Sequence, residues 1–344
     1  EPGSHGYKFI VDGEWVFDPS NKMRRLDEGL ANSKLIVPDC QAPELIVTTR
    51  DITADVAFIE VTVHAGVDTP LDEGSVTVTH NFAPVTGAWD PARGTVQIEL
   101  SELPTGKHTV RVDAAADGLN AHPAVVSFWQ EDTPFEWRDA ALYFAFTDRF
   151  ADGDTTHLPD PCLPADSIAN WHGGDWAGIT AAIEDGYFDD LGVNALWLNA
   201  PMDNPEGCEG GLHDRLYTSF HGYFPVDLFA TEPRFGSLED LRALVTSAHA
   251  RGIRVIVDLP ANHVHDTAPE WAEHADTWFN LDGLCRDQDW TPPETCWFES
   301  YLPDLDHRND AVVEHLSEIA LKWAIDADLD GFRVDAVKHV QPHF

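Results

Sequence analysis

Positive charge is what this sequence has least of. Its 344 residues carry 21 Lys and Arg against 60 Asp and Glu, a formal net charge of −39 with His neutral. Phosphate backbones and anionic bilayers are held by basic surfaces, so the balance argues against nucleic acid and against a membrane surface as partners. A neutral ligand such as a sugar fits it; the charge also favours solubility and can mark a salty habitat. Long apolar runs are missing too: none approaches the roughly 18 to 20 residues of a membrane span. No basic-then-apolar leader stands at Glu1. The chain opens mid-pattern, so a leader upstream of it stays open. No GxGxxG or GxxxxGK[ST] loop follows a strand pattern, which removes the usual nucleotide cradles. Cysteine is sparse, at five, with no CxxC pair and no metal-ligand spacing to His. Cys285 and Cys296 flank a loop rich in Pro and Asp and read as a disulfide; Cys162 and Cys208 make a second candidate bridge, leaving Cys40 odd. That usage favours an exported, oxidising setting, extracellular or periplasmic.

What is present is enough apolar matter to fold. Hydrophobic residues make up 43% of the chain, and the length allows two or three domains with sizeable cores. Twelve Trp and 18 Phe supply core packing first and sugar-stacking surfaces second.

The pattern changes twice along the chain. In residues 1–38, Tyr7-Lys8-Phe9-Ile10-Val11 alternates, meets Asp12-Gly13, and is answered by Glu14-Trp15-Val16-Phe17, a hairpin signature; Lys34–Val37 reads as a last strand. Over 43–131, short alternating runs at 57–63, 75–79, 95–100, 108–114 and 124–129 imply a β-sandwich of the immunoglobulin-like kind. From about 138 to 344, strands at 141–146, 195–199, 254–259 and 331–334 alternate with helices at 179–191, 237–251 and 311–327. Such a pattern predicts an α/β unit with a parallel sheet covered by helices. Four strands suit either half of a (β/α)8 barrel or a complete doubly wound sheet.

Polar residues gather just after these strands. The strand at 254–259 contains Asp258 and leads to Asn262-His263; the last strand, Gly331-Phe332-Arg333-Val334, runs into Asp335. Side chains alternate along a strand, so Arg333 and Asp335 share one face. A guanidinium beside a carboxylate favours its ionised form, which a carboxylate nucleophile needs.

Taken in order, Asp258-Leu-Pro-Ala-Asn262-His263, Leu302-Pro-Asp304-Leu-Asp306 and Gly331-Phe-Arg333-Val-Asp335-Ala-Val-Lys338-His339 resemble the successive signatures of the α-amylase family of retaining glycoside hydrolases. Tyr143…Asp148-Arg149-Phe150, Leu196-Trp197-Leu198 and His221-Gly222-Tyr223 resemble its earlier strands, so the likeness covers about 140–344. The stretch YKFIVDGEWVFDP resembles the C-terminal part of glycogen-binding β-sandwich modules that precede many α-glucan enzymes. The resemblance implies the first four strands of a TIM barrel, with an inserted domain over about 264–303. It implies Asp335 as nucleophile, Arg333 as the group holding it ionised, and Asp258 as the carboxylate orienting that arginine. It further implies His263 and Tyr223 as sugar contacts, with His221 beside them, and Lys338 and His339 on the leaving-group side.

The same resemblance implies calcium, held by Asn262, Asp304, the backbone carbonyl of His339 and, less firmly because its loop differs in length, Glu294. Asp152, Asp154, Gly173 and Asp175 resemble a second calcium site of neopullulanase-like members, with Thr156, His157 and Asp160 standing where further Asn or Asp ligands are expected. The family takes its acid/base Glu from the strand after this one and a third Asp from a later strand. Glu294 and Glu299 precede the nucleophile strand and cannot fill the acid role by order. The expectation is therefore a segment of a longer enzyme, truncated at both ends. That enzyme would be an endo-acting hydrolase of α-1,4-glucosidic bonds in starch or glycogen. A cyclodextrinase, neopullulanase or glucanotransferase is the nearest alternative, and a non-catalytic α-glucan-binding protein the alternative of another class.

Overall fold

A computed structural model describes residues 2–27, 29–72, 74–157, 162, 165–211, 215–285, 293–342 and 344. Contacts divide the chain into two compact units: Glu1–Met23 with Ser33–Pro134, and Arg24–Asn32 with Phe135–Phe344.

In the first unit, Phe9–Val11 and Glu14–Val16 form the expected hairpin, with Val11 opposite Glu14. Asp12 and Gly13 both have positive φ, 53° and 88°, as a two-residue turn that matches strand twist requires. The single strand expected over 7–11 is broken: Gly3–Tyr7 turns away to pair antiparallel with residues 33–37. A sandwich follows. One sheet orders Ala88–Asp90, Thr95–Ser101, Val56–His64 and Glu44–Ile52; the other orders Ala124–Gln130, Gly106–Asp113, Thr77–His80 and Ala83–Pro84. Their inward residues, among them Ile59, Val61, Val96, Ile98, Val110 and Val112, are almost wholly buried in one core. Glu44–Ile52 was not anticipated: it is an edge strand with mostly exposed side chains, and only its pairing with Val56–His64 gives it away.

The second unit is built on four parallel strands, β1 (Leu142–Ala145), β2 (Ala195–Leu198), β3 (Arg254–Leu259) and β4 (Gly331–Val334), each beside the next in chain order. A doubly wound sheet reverses its order at a switch point; this one never does, which is the order of a barrel. Three main helices connect the strands: α1 (Trp176–Glu184), α2 (Leu238–Ala250) and α3 (Asp310–Asp326). Asp175 caps α1 through Gly178 N–H, Ser237 and Asp240 form a capping box on α2, and Asn309 caps α3. The helix expected over 179–191 stops at Glu184, because Gly186 takes a left-handed φ of 82° before a short turn of helix at Tyr187–Asp190.

One face of the sheet is closed by these helices. Ala145, Leu196, Leu198, Val255 and Val257 are fully buried in one core with Ile179, Ile183, Leu241, Leu244, Val312 and Trp323. Each such side chain contributes on the order of 1.5–3 kcal/mol. The other face carries Phe144, Trp197, Ile256 and Arg333, all partly exposed. This second face, which the main helices leave open, is the one that bears the polar residues.

Both expected disulfides are formed, Cys162–Cys208 and Cys285–Cys296, and Cys40 is an exposed free thiol. The segment after His263 returns to β3 through bridges of His263 to Asp304 and Phe279 to Leu305, with Trp271 edge-on to Phe279 and Trp297. Residues 286–292 within it lie outside the described residues. A second excursion, between β2 and α2, pairs Met202–Asp203 with Asp227–Thr231.

Gly178 lies inside α1, where alanine is ordinarily the better helix former by about 1 kcal/mol. A Cβ there would stand 2.2 Å from the Ala151 carbonyl oxygen and 2.6 Å from its carbon. Backbone gives way less easily than a side chain, so the clash outweighs the propensity. Gly178→Ala should lower stability by about 1–3 kcal/mol, read as a lower urea midpoint at unchanged slope. An equal or higher midpoint would contradict this packing.

Candidate active site

The strand register sets Asp258 of β3 directly beside Arg333 of β4. The ladder runs one residue past β4, since Asp335 N–H still bonds the Leu259 carbonyl at 3.1 Å. Asp335 therefore keeps the strand's alternation and stands on the face of Arg333. Arg333 Nη1 donates to Asp335 Oδ1 at 2.5 Å and to Asp258 Oδ1 at 3.2 Å. One guanidinium nitrogen thus serves two carboxylates, and the two differ in access. The Asp258 side chain has no exposed surface, whereas that of Asp335 is 21% exposed, so a ligand on the open face can reach Asp335 only.

Asp258 also accepts the Trp197 Nε1–H at 2.9 Å and the Tyr223 hydroxyl at 2.7 Å. Burial pushes its pKa up to about 6, against the pull of Tyr223, Arg333 and Trp197 in the other direction. Burial also works against the Arg333 charge, but Asp258 and Asp335 outweigh it and raise the guanidinium further. The Tyr223 phenol is pushed up by burial and by the Asp258 charge, so it stays a donor. Directly after Asp335 the chain turns sharply: Ala336 has a φ of 50°, a left-handed value costing an L-residue about 1–2 kcal/mol. The His339 N–H closes that turn on the Ala336 carbonyl at 2.7 Å.

The Tyr223 shelf is built by its neighbours. Gly222 takes a φ of 81°, which folds the chain back so that the rings of His221 and Tyr223 lie parallel, 5.4 Å apart. His221 Nδ1 accepts the Tyr223 N–H at 3.0 Å. Burial, with lesser help from His263 and Arg149, pushes the His221 pKa down to about 3, so its ring is neutral. His263 is buried and also held neutral, chiefly by that burial. Its Nε2–H donates to the Tyr223 carbonyl at 2.9 Å, and its Nδ1 faces the Asn262 amide at 3.3 Å. Both ring nitrogens are engaged within the chain, so a sugar contact from His263 needs one of these bonds to give way.

Lys338 is exposed on the turn after Asp335. The His339 side chain has a different job from the one the sequence implied. It is buried, donates Nδ1–H to the Pro293 carbonyl at 2.7 Å, and packs edge-on against Phe298 at 4.5 Å. It ties the Asp335 turn to the inserted segment rather than facing the open side. Its ring also lies within 4.8 Å of the Cys285 and Cys296 sulfurs, but those are joined as a disulfide and offer no thiolate.

Among the described residues, two buried oxygens have no hydrogen-bond partner where the first cation was expected: Asn262 Oδ1 and Asp304 Oδ1. The bridge from His263 to Asp304 and a bond from Leu305 N–H to the Asn262 carbonyl at 2.8 Å bring their segments together. Burial pushes the Asp304 pKa up to about 8, and the Asn280 and Asn262 amides offset this only in part. Hard oxygen donors, one of them a carboxylate that burial disfavours as an anion, fit Ca2+. Glu294 is half-buried in the turn next to Pro293.

The second expected cluster is arranged otherwise. Asp175 accepts Gly178 N–H at 2.7 Å and Gly153 N–H at 3.0 Å on Oδ1, and Asp154 N–H at 2.7 Å on Oδ2. Its carboxylate caps α1 and pins the 152–154 loop to it. Asp154 Oδ1 is turned to the backbone and hydroxyl of Thr156, at 3.0 and 2.6 Å. Gly173 donates to the buried Asp148, and Asp152 is exposed. Backbone and hydroxyl donors of the chain thus meet the Asp175 and Asp154 carboxylates; Asp160 lies outside the described residues.

Two polar side chains at the site escaped the sequence reading. Asn199 accepts Thr147 N–H at 2.8 Å and donates to the His221 carbonyl at 2.8 Å, linking the ends of β1 and β2 to the Tyr223 shelf. Trp197 bonds Asp258, stacks on Phe144 at 4.0 Å and has the Arg333 guanidinium 4.9 Å from its ring. Strand alternation carried across the sheet would have found it, since Trp197 registers with Ile256, two residues before Asp258.

Comparison with known proteins agrees with this arrangement. The family profile for the α-amylase catalytic domain matches residues 144–344. A cyclomaltodextrin glucanotransferase from Bacillus sp. (strain 1-1) is 34% identical over 220 residues, covering 58% of this chain and 31% of that protein. One from Bacillus licheniformis is 34% identical over 222 residues, covering 58% and 30%. The chain thus spans under a third of the length of these relatives. Among solved structures, an α-amylase from Geobacillus thermoleovorans complexed with acarbose aligns with a TM-score of 0.50 at 32% identity, over 60% of this chain and 42% of that one. An Anoxybacillus α-amylase aligns with a TM-score of 0.51 at 31% identity, over 60% and 43%. With four parallel strands in barrel order and a matching profile over 144–344, the chain belongs to the α-amylase family, through its catalytic domain.

Proposed function

We propose that the full-length protein is a retaining enzyme acting on α-1,4-glucosidic bonds of starch- or glycogen-type glucans, with Asp335 as its nucleophile. The observation that carries this reading is the shared guanidinium: Arg333 bonds a buried Asp258 and a reachable Asp335. In the proposed reaction the Asp335 carboxylate attacks the anomeric carbon. The bond to the leaving oxygen breaks as that oxygen takes a proton from an acid, and water then releases the sugar from Asp335. Retention needs the acid about 5 Å from the nucleophile; we assign it to a carboxyl group supplied by the full-length protein. Tyr223 would lie under the sugar, with His263 and His221 at its edge and Lys338 towards the leaving group.

Asn262, Asp304, the His339 carbonyl and, from its own loop, Glu294 would hold a Ca2+ ion. Its charge would offset that of buried Asp304 and join the inserted segment to β3 and the Asp335 turn. Residues 1–38 would end a glycogen-binding-like module, 43–131 would be a set-like sandwich, and the barrel half would start near 138 with its insert at about 264–303. The disulfides favour an exported enzyme. Among the described residues, no helix is long and apolar enough to cross a membrane.

A second reading is transfer rather than hydrolysis. The similarity to cyclomaltodextrin glucanotransferases at 34% identity favours it. Product analysis separates the two: linear maltooligosaccharides support hydrolysis, and cyclic products support transfer.

In the full-length protein, Asp335→Asn should cut turnover by ~10³-fold or more while glucan binding persists. Near-normal turnover would falsify the nucleophile assignment. Chelation should lower the melting temperature by about 5 °C or more, and Asn262→Leu should blunt that response. An unchanged melting curve on chelation would count against the cation.

A further inference from the structure

Trp197 lies on the sheet's open face and makes two polar contacts at once. Its Nε1–H donates to Asp258 Oδ1 at 2.9 Å, the same oxygen that receives Arg333 Nη1 at 3.2 Å. Its ring lies 4.9 Å from the Arg333 guanidinium carbon, and on its other contact it stacks with Phe144 at 4.0 Å and 17°. Phe144, Trp197 and Ile256 are register partners across β1, β2 and β3, so the indole is anchored by three strands. A tryptophan needed only as filler would not require its N–H on a fully buried carboxylate.

On the reading given under Proposed function, we propose that Trp197 is a positioning residue. Its N–H fixes Asp258 while its ring backs Arg333, so that the guanidinium is held in line for Asp335. Among the described residues, the titratable groups facing Asp258 are Tyr223 from the loop after β2, Arg333 from β4 and Asp335 beyond it, and Trp197 is a partner that does not titrate. Losing the indole N–H removes a pull that lowers the Asp258 pKa. Asp258 then protonates at higher pH, and Arg333 loses its anchor there first.

The test uses the full-length protein with two replacements at 197. Trp197→Phe keeps an aromatic ring but loses the donor. Benzothienylalanine at 197 keeps the size and shape of indole with sulfur in place of N–H, so it tests the bond without a packing change. Each is compared with wild type and with Asp335→Asn. Expected for both is a kcat roughly tenfold or more lower, KM little changed, and the acid limb of kcat/KM moved to higher pH. For benzothienylalanine the melting temperature should stay near that of wild type. Unchanged kcat and acid limb in the benzothienylalanine protein, with Asp335→Asn inactive, would overturn the positioning role alone. Loss of activity that tracks melting temperature with no movement of the acid limb would do the same, leaving Trp197 as packing. Turnover surviving in Asp335→Asn would overturn this inference together with the reading it rests on.

Discussion

A buried carboxylate that must stay charged is the constraint on which the C-terminal unit turns. Asp258 has no exposed surface, and burial holds its pKa up at about 6 even against the pull of its partners. Removing an ion from water costs several kcal/mol, which only close partners offset. Here two strands and a loop provide them: Trp197 from β2, Arg333 from β4, and Tyr223 from the loop that leaves β2. Because those donors come from separate elements, the carboxylate can be satisfied only when the parallel sheet has assembled in order. Arg333 carries the consequence outward by bonding Asp335 at the rim. Geometry that solves a burial problem at Asp258 thereby fixes a reachable, arginine-paired carboxylate next to it.

Around this centre the loops take up the remaining polar work. The turn after Asp335 is drawn in by His339, whose ring reaches the Pro293 carbonyl and Phe298 of the inserted segment. The other side of that segment returns to β3 at His263 and Asp304, where two oxygens lie buried and unpartnered. A dehydrated oxygen pair of this kind costs stability unless a cation or water meets it. The 152–154 loop is handled differently: Asp175 accepts two of its N–H groups and one from Gly178 of α1.

Much of this arrangement is legible in the sequence, and the exceptions share a cause. The ranges of β3 and β4 follow from their apolar runs, and the hairpin at Asp12-Gly13 follows from its turn residues. Asp335 and Arg333 on one face follow from period two alone. Glu44–Ile52 stays hidden because an exposed edge strand has little hydrophobic alternation to show. The break of the 179–191 helix depends on the φ of Gly186, a choice glycine allows but does not announce. The bond from the His339 ring to Pro293 stays hidden because nothing local to His339 indicates a residue 46 positions away. The bond from Trp197 to Asp258 stays hidden because it lies in register across strands, which a linear pattern does not carry.

The central claim is that Asp335 bonds covalently to the sugar during turnover. The most direct measurement is mass spectrometry of the full-length protein after reaction with a slow-turnover fluorinated α-glucosyl fluoride, followed by peptide mapping. One glycosyl adduct is expected, located on Asp335 in the peptide that contains Gly331–Val334. An adduct on any other carboxylate, or turnover of natural glucan with no adduct at all, would contradict it.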